Sequence, residues 1–534
     1  MIVYVHCAKC VGIDAVPVTV EVDITNGIGI HLVGLADAAV KESLLRTVTA
    51  LQACGFRVPG KKIIINLAPA DLHKNGSGYD LPIAIGIIAA SGQRDLPVLE
   101  KHMIMGELGL DGSIRYVSGA LPLVELARKD GFEGCILPIE SALEATEYTG
   151  IDIYGVETLS QALEILEGKP ESDDYLVWNS GLFAKASEGR DSSQDSFIPD
   201  FADLVGLEAA KRGAEISCAG NHNMIMVGPP GSGKSSLAKA MAGILPPMTP
   251  EESLITSKIY SVAGKHATRC GFMKQRPFRA PHNRSSLAAL LGGGTGDNIL
   301  PGEISLATNG VLFLDEFAET PKSLMEALRA PLEDRRITIS RLKSKLVYPA
   351  DFMLVAASNP CPCGYYGEGG RCRCSPGQRA AYIGRLSGPL MDRIDLQVWV
   401  SSPSASELLA GDRTRSARET SDVVAKRIAA ARKIQQRRFE GTGIFTNAGM
   451  SGRDLKQYCP LTDDCKELLE NIILKMGMSA RAYTRILKVA RTIADLDAVI
   501  SGISPDRDAG PILPAHISEA ASYRFLDRRD LLDL

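Results

Sequence analysis

The stretch that decides the fold is MIMVGPPGSGKSS, Met224 to Ser236. Apolar residues run straight into a glycine-rich turn, and the turn opens a helical pattern. Gly228, Gly233, Lys234 and Ser235 fit the spacing G-x-x-x-x-G-K-[ST] between a strand and a helix, the context in which that spacing carries meaning. The loop Gly228, Pro229, Pro230, Gly231, Ser232, Gly233 lets backbone amides wrap an anion. The helix N-terminus adds its dipole and Lys234 a point charge. Ser235, with Ser236 beside it, is the expected magnesium ligand. A second segment, GVLFLDEFAE (Gly310 to Glu319), ends an apolar strand in two carboxylates. Asp315 is expected in the magnesium shell, and Glu316 is expected to orient or deprotonate an attacking water. A third strand, LVAASN, ends in Asn359, placed to touch a terminal phosphate or that water. The plainer readings are a turn without ligand and an acidic strand end, and the complete motif with its flanks outweighs both.

The bulk numbers bound the rest. A chain of 534 residues should hold about three domains, because single cores stop growing well below this length. Hydrophobic content of 45% and charged content of 23% are those of an ordinary soluble protein. A net charge of -4 makes no global polycation, so any nucleic-acid surface must be a local patch. The apolar run LPIAIGIIAA, Leu81 to Ala90, is far shorter than the ~20 residues of a membrane span. MIVYVHCAKC lacks the pattern of a signal peptide, so a cytoplasmic protein without a membrane partner is expected. Eight of the twelve cysteines are scattered, and no disulfide framework is expected. Cys7 and Cys10 in CAKC read as core thiols.

Three blocks emerge. Residues 1–169 alternate strand-like VPVTVEVDI and KKIIINLAP with helical DAAVKESLLRTVTALQACG. Residues 170–200 are polar and acidic and read as a linker. In 201–402, short apolar strands separated by helical stretches indicate an α/β domain with a parallel sheet. Residues 403–534 show no strand pattern and read as an all-α lid.

In their order, the phosphate loop, the Asp315–Glu316 strand and the Asn359 strand resemble the AAA+ ATPases. That resemblance implies ATP and Mg²⁺ as cofactors. It makes GPLMDRIDL the segment carrying an arginine finger, with Arg393 the choice and Arg385 the second candidate. It makes SARAYTRILKVAR the second sensor helix, with Arg481 facing the phosphates of its own subunit. A finger acting on a neighbour implies a ring. DRRITISRLKSKLVYPADF reads as a hairpin, with Ile337 and Ile339 on one arm, Leu346 and Val347 on the other, and Arg341, Lys343 and Lys345 at the tip. One AAA+ branch, including minichromosome-maintenance helicases and magnesium chelatases, inserts a pre-sensor hairpin here. A basic tip suits sequence-independent contact with a DNA backbone, and it equally suits a solvated turn. QRPFRAPHNRSSLAALLGGG adds Arg276, Arg279, Arg284, Phe278 and His282, a mix suited to backbone contact with stacking or to an inter-subunit loop.

Inside the block 201–402, residues 361–374 hold Cys361, Cys363, Cys372 and Cys374 around a Gly/Tyr loop. Two C-x-C pairs suit structural tetrahedral Zn²⁺ with no open position, against free thiols or a redox clip. Such a knot would brace the excursion between Asn359 and Arg393.

The first block is similar to the proteolytic domain of Lon, an S5-like fold, across NLAPADLHKNGSGYDLPIAIGIIAASG and MGELGLDGSIRYVSGALPLVELARKDGFEGCILP. Laid along that framework, the Lon serine falls on Gly78 and its lysine on Leu123, neither of which can act. Ser77 is one position off and lacks a matching lysine, so proteolysis is not expected. By resemblance to the recombination protein RadA, the block would serve as a collar. Over its full length the chain resembles the ComM/YifB family of magnesium-chelatase-like ATPases. The resemblance implies a hexameric helicase promoting branch migration of incoming single-stranded DNA during natural transformation. The alternatives are a magnesium-chelatase motor that loads a porphyrin and a MoxR-like chaperone.

Overall fold

The computed structural model describes all residues except 1, 35–37, 75, 180–197, 267–269, 295–298, 341–344, 387, 405, 408–417 and 528–534. Alternation in DAVPVTVEVDIT and KIIINLA makes the strands Asp14–Thr25 and Lys62–Ala68, whose inward residues Val18, Val20, Val22, Ile63, Ile65 and Leu67 are all buried. They sit in a seven-stranded mixed sheet in the order Gly29–Val33, Lys62–Ala68, Asp14–Thr25, Val3–Val11, His102–Ile104, Gly134–Pro138, Asp152–Val156. The run LPIAIGIIAA forms most of the helix Asp80–Ala90. It is apolar on every side because it lies inside the first block, packed against this sheet and the helix Ala38–Ala53. Burying each of its isoleucines contributes about 1.5–3 kcal/mol.

The block 201–402 is built on five parallel strands in the order Phe278–Arg279, Val311–Leu314, Met353–Ser358, Met224–Val227, Leu396–Trp399. Three of them carry the ends Val227, Leu314 and Ser358 to one edge of the sheet, the edge where open α/β sheets bind ligands. After Trp399 the described residues form helices and no strand, among them Ser421–Arg438, Asp463–Met476 and Ala480–Ile500. The apolar core does not stop at residue 402. Met224, Met353 and Leu396 of the sheet share one cluster with Ile428, Ile486 and Ile493 of the helices. Among the described residues no helix is long and apolar enough to cross a membrane.

Two arrangements position the site. GPLMDRIDL and SARAYTRILKVAR, far apart in sequence, dock through paired charges: Arg481 with Asp392 at 2.9 Å and Arg485 with Asp395 at 2.8 Å. Asp395 is fully buried, and the Arg485 guanidinium with His222 holds its carboxyl well below the usual range despite burial. The hairpin is present as Arg336–Ser340 paired with Lys345–Pro349. Its register sets Ile337 opposite Tyr348 and Ile339 opposite Leu346, so these four share the inner face. Val347 faces outward and is 45% exposed, so Tyr348, not Val347, completes the apolar pair with Leu346. That inner face leans on Val11 and Ile13, at the turn between the first two strands. The same two blocks meet again at the helix Pro250–Val262. There Lys258 pairs with Asp14 and Glu125, and Ser261 donates to the buried Glu144.

Candidate functional site

At the sheet edge, a cavity of about 730 Å³ is lined by Pro230–Ser236, Lys239, Ala280–Asn283, Phe313, Asp315, Glu316 and Asn359. The sequence-predicted residues of three different strand ends thus meet in one place. Gly231 and Gly233 have φ of +79° and +88°, left-handed values that a side chain would resist, and Gly233 caps the helix Lys234–Ile244. The Lys234 amine turns back on its own loop and donates to Gly228 O and Pro229 O, both at 2.7 Å. Burial pushes its pKa down, opposed by Asp315. An anion in the loop would relieve that burial cost. Ser235 Oγ donates to Asp315 Oδ2 at 2.9 Å. The pair sets two hard oxygen ligands side by side, the donor type that Mg²⁺ takes in phosphate sites.

Glu316 follows Asp315 in a left-handed conformation, φ 49° and ψ 43°. For a residue with a side chain this costs of order 1 kcal/mol and turns the carboxylate out of the strand direction. Its Oε2 accepts a hydrogen bond from Asn283 Nδ2 at 2.7 Å. Sequence reading missed Asn283. It stands just past a strand of only two residues, Phe278–Arg279, too short to leave a pattern. The chance of finding it lay in the polar PHN run beside that strand.

The arginines sort differently from their expected roles. Arg393 does not line the cavity. It pairs with Glu333 and donates to Pro389 O at 2.6 Å. Arg481, expected to face the phosphates of its own subunit, is not among the residues that line the cavity. It pairs with Asp392, the neighbour of Arg393 in sequence, from the first turn of the helix Ala480–Ile500. Arg385 is taken up by Glu319 at 3.0 Å. Arg276 is bonded to Glu252 at 2.6 Å and to Asn309 O at 2.7 Å, and Arg279 to Glu303 at 2.6 Å. Both brace the fold, so the expected backbone-contact surface reduces to Arg284. Phe278 stacks on Phe313. Only His282 and Asn283 of the named polar residues in that segment reach the cavity. Of the hairpin-tip residues, Lys345 is exposed, and Arg341 and Lys343 lie outside the described residues.

Next to Asn359, the sulfurs of Cys361, Cys363, Cys372 and Cys374 all lie within 4.8 Å of one another. The pairs 361–363, 361–372 and 363–372 are 3.4, 3.7 and 3.6 Å apart. A tetrahedron of thiolates ~2.3 Å from zinc has edges of about 3.8 Å. The four residues therefore fit a single tetrahedral ion, and spacings this short leave no room for a multi-iron cluster.

The first block holds a cavity of about 540 Å³ around Ser77, Gly78, Tyr116 and Leu123, closed by Leu346 and Tyr348 of the hairpin. Ser77 donates to Glu107, while the Lys74 and Lys9 amines point at the Pro69 and His73 carbonyls. Leu123 is buried in the core. Cys10 sits against Gly119 O at 3.6 Å, and burial pushes its thiol up to about 12.

Fold and pocket together define a magnesium-chelatase-like AAA+ protein. Residues 20–141, 200–408 and 418–524 match three families described for the ChlI subunit of magnesium chelatase. Competence protein ComM of Haemophilus influenzae is 41% identical over 526 residues, covering 98% of this chain and 97% of its own. Uncharacterized protein YifB of Salmonella typhimurium is 40% identical over 525 residues, with the same two shares. An archaeal Lon protease of Methanocaldococcus jannaschii is 25% identical over 150 residues, 28% of this chain and 23% of its own. The chain belongs to the ComM/YifB family of magnesium-chelatase-like proteins.

Proposed function

We propose that the protein is an ATP-hydrolysing ring motor on DNA that promotes branch migration during recombination of incoming single strands. The observation that carries the ATPase reading is the convergence of Lys234, Ser235, Asp315, Glu316 and Asn359 on one cavity. The DNA reading draws on the near full-length similarity to a protein named for competence.

In this reading Lys234 leaves Gly228 and Pro229 for the phosphates, and the loop amides hold the remaining oxygens. Magnesium, held by Ser235 and Asp315, would neutralise phosphate charge. Glu316 takes or orients the proton of the attacking water, and Asn359 holds that water or the terminal phosphate. Arg393 and Arg481 complete the pocket of the adjacent subunit in a hexameric ring. Zinc in the four-cysteine nest is structural. Arg341, Lys343 and Lys345 contact the DNA backbone from the hairpin.

The test is ATP turnover by the full chain alone, with linear single strands, and with a branched junction at two salt concentrations. Stimulation by DNA that fades as salt rises supports the motor. A rate indifferent to every DNA sinks it and favours a chelatase or chaperone partner. Neutralising Arg341, Lys343 and Lys345 together should spare basal turnover and remove DNA coupling. Normal branch migration by that variant would refute the hairpin assignment.

A further inference from the structure

We infer that the cysteine nest is a positioning element for the phosphate loop, so that the metal it holds sets the affinity for nucleotide. The inference rests on the ATPase reading above and adds a determinant outside the phosphate-binding motif.

The contact is direct. Gly364, the residue after Cys363, is buried with φ +84° and lies flat on Pro230 of the phosphate loop. A Cβ there would stand 2.9 Å from Pro230 Cδ, 3.3 Å from Cγ and 3.9 Å from Asn359 Cγ. Nothing larger than glycine fits between the nest and the loop without moving Pro230. The nest is therefore in contact with two walls of the cavity at once, the loop and the Asn359 strand end.

Its opposite side is anchored. Gly367 abuts Trp399, where a Cβ would meet the indole at 2.8 Å, and Tyr366 packs edge-on against the same ring. The Glu368 carboxylate accepts from Ser402 N at 3.3 Å. Trp399 is paired in register with Val227, the residue that leads into Gly228. The nest thus spans from the last strand of the sheet to the phosphate loop, like a wedge under its first turn.

What holds the wedge in shape is the cysteine cluster. Between Pro362 and Ser375 only Gly364 is fully buried, and no apolar side chain in that run enters the core. A segment with so little buried surface cannot fix its own backbone, and a tetrahedral ion supplies the missing cross-link. Loss of the ion frees Gly364 from Pro230, and the loop amides lose the geometry that binds phosphate. The expected signature is a loss of affinity larger than the loss of turnover at saturation.

The experiment compares three full-length proteins: as isolated, stripped of metal by a chelator with a thiol-reactive mercurial and then reduced, and carrying Gly364→Ala. Bound metal is counted by elemental analysis. Nucleotide affinity is read with a fluorescent ADP analogue, and KM and kcat are taken separately. The isolated protein should hold a single zinc per chain. Stripping should weaken nucleotide about ten-fold or more, with kcat falling less, and Zn²⁺ alone should restore it. Gly364→Ala should keep its zinc and its melting temperature within a few degrees yet weaken nucleotide by about five-fold or more. Zinc present with unchanged affinity after stripping, together with a silent Gly364→Ala, overturns the inference and leaves the ATPase reading intact. Absence of any metal from the isolated protein also overturns it. Failure of every form to bind nucleotide, with Lys234→Ala no different, instead removes the ATPase reading itself.

Discussion

The molecule holds two cavities of comparable size that differ in what surrounds them. The one around Ser77, about 540 Å³, is lined by polar groups that are already paired: Ser77 with Glu107, Lys9 with the His73 carbonyl. The one around Lys234, about 730 Å³, gathers an amine, a hydroxyl, two carboxylates and an amide from three strand ends. In the second, Lys234 is bonded to its own loop, Ser235 to Asp315 and Asn283 to Glu316, and together these groups supply the cation, hydroxyl and carboxylates that a phosphate and its metal require. Enclosed volume does not make a site, whereas convergence of chemistry complementary to one ligand does.

The contrast can be broken most sharply at Lys234. Lys234→Ala should lower ATP turnover at least about 100-fold, because the ammonium is the cavity's strongest fixed cation for phosphate. Turnover within a few-fold of the parent protein would remove the distinction between the cavities.

The seam between the two blocks offers a pH-dependent test. Burial pushes the Glu144 carboxyl, bonded to Tyr116 and Ser261, up to about 7 from 4.5. A raised carboxyl favours the folded state when protonated. Its contribution is therefore complete below pH ~4.5 and is lost as pH rises through ~7, amounting to up to about 3 kcal/mol. Glu144→Gln should flatten the fall in melting temperature between about pH 4.5 and 7. An unchanged slope would show that the seam does not titrate there.

Asn283→Ala sharpens the picture of the Lys234 cavity. Without the amide at 2.7 Å, Glu316 is free to meet water, and DNA-free turnover should rise several-fold. A fall instead would show that Asn283 helps place the water. The smallest effect belongs to Ser77→Ala, which should change turnover less than about two-fold and reveal no peptidase activity to lose. Any serine-dependent peptide cleavage would make the first cavity a site after all.

Much of this was legible in the sequence, for a physical reason. The phosphate loop, Asp315, Glu316 and Asn359 each sit directly after an apolar strand, so local pattern alone places them at one sheet edge. The cysteine nest was legible because its ligands lie within fourteen residues, Cys361 to Cys374. What depended on packing was not legible. Asn283 follows a strand too short to show a period. The direction of Arg481 depends on how the helix Ala480–Ile500 docks on GPLMDRIDL, an arrangement fixed by the Asp392 and Asp395 ion pairs. Arg276 and Arg279 read as free cations until Glu252 and Glu303 came beside them. Tyr348 replaced Val347 on the hairpin's inner face because the pairing of Ser340 with Lys345 sets the register, and the composition of the arm does not.

The leaning of the hairpin on Val11 and Ile13, with Lys258 clasped by Asp14 and Glu125, has a consequence for how the polypeptide can be divided. The two blocks are joined by buried side chains as well as by the connecting segment. A protease site engineered into residues 180–197 should, once cut, leave two fragments that migrate as one species through gel filtration. Continuity of the backbone would then matter for bringing the halves together and no longer for keeping them so.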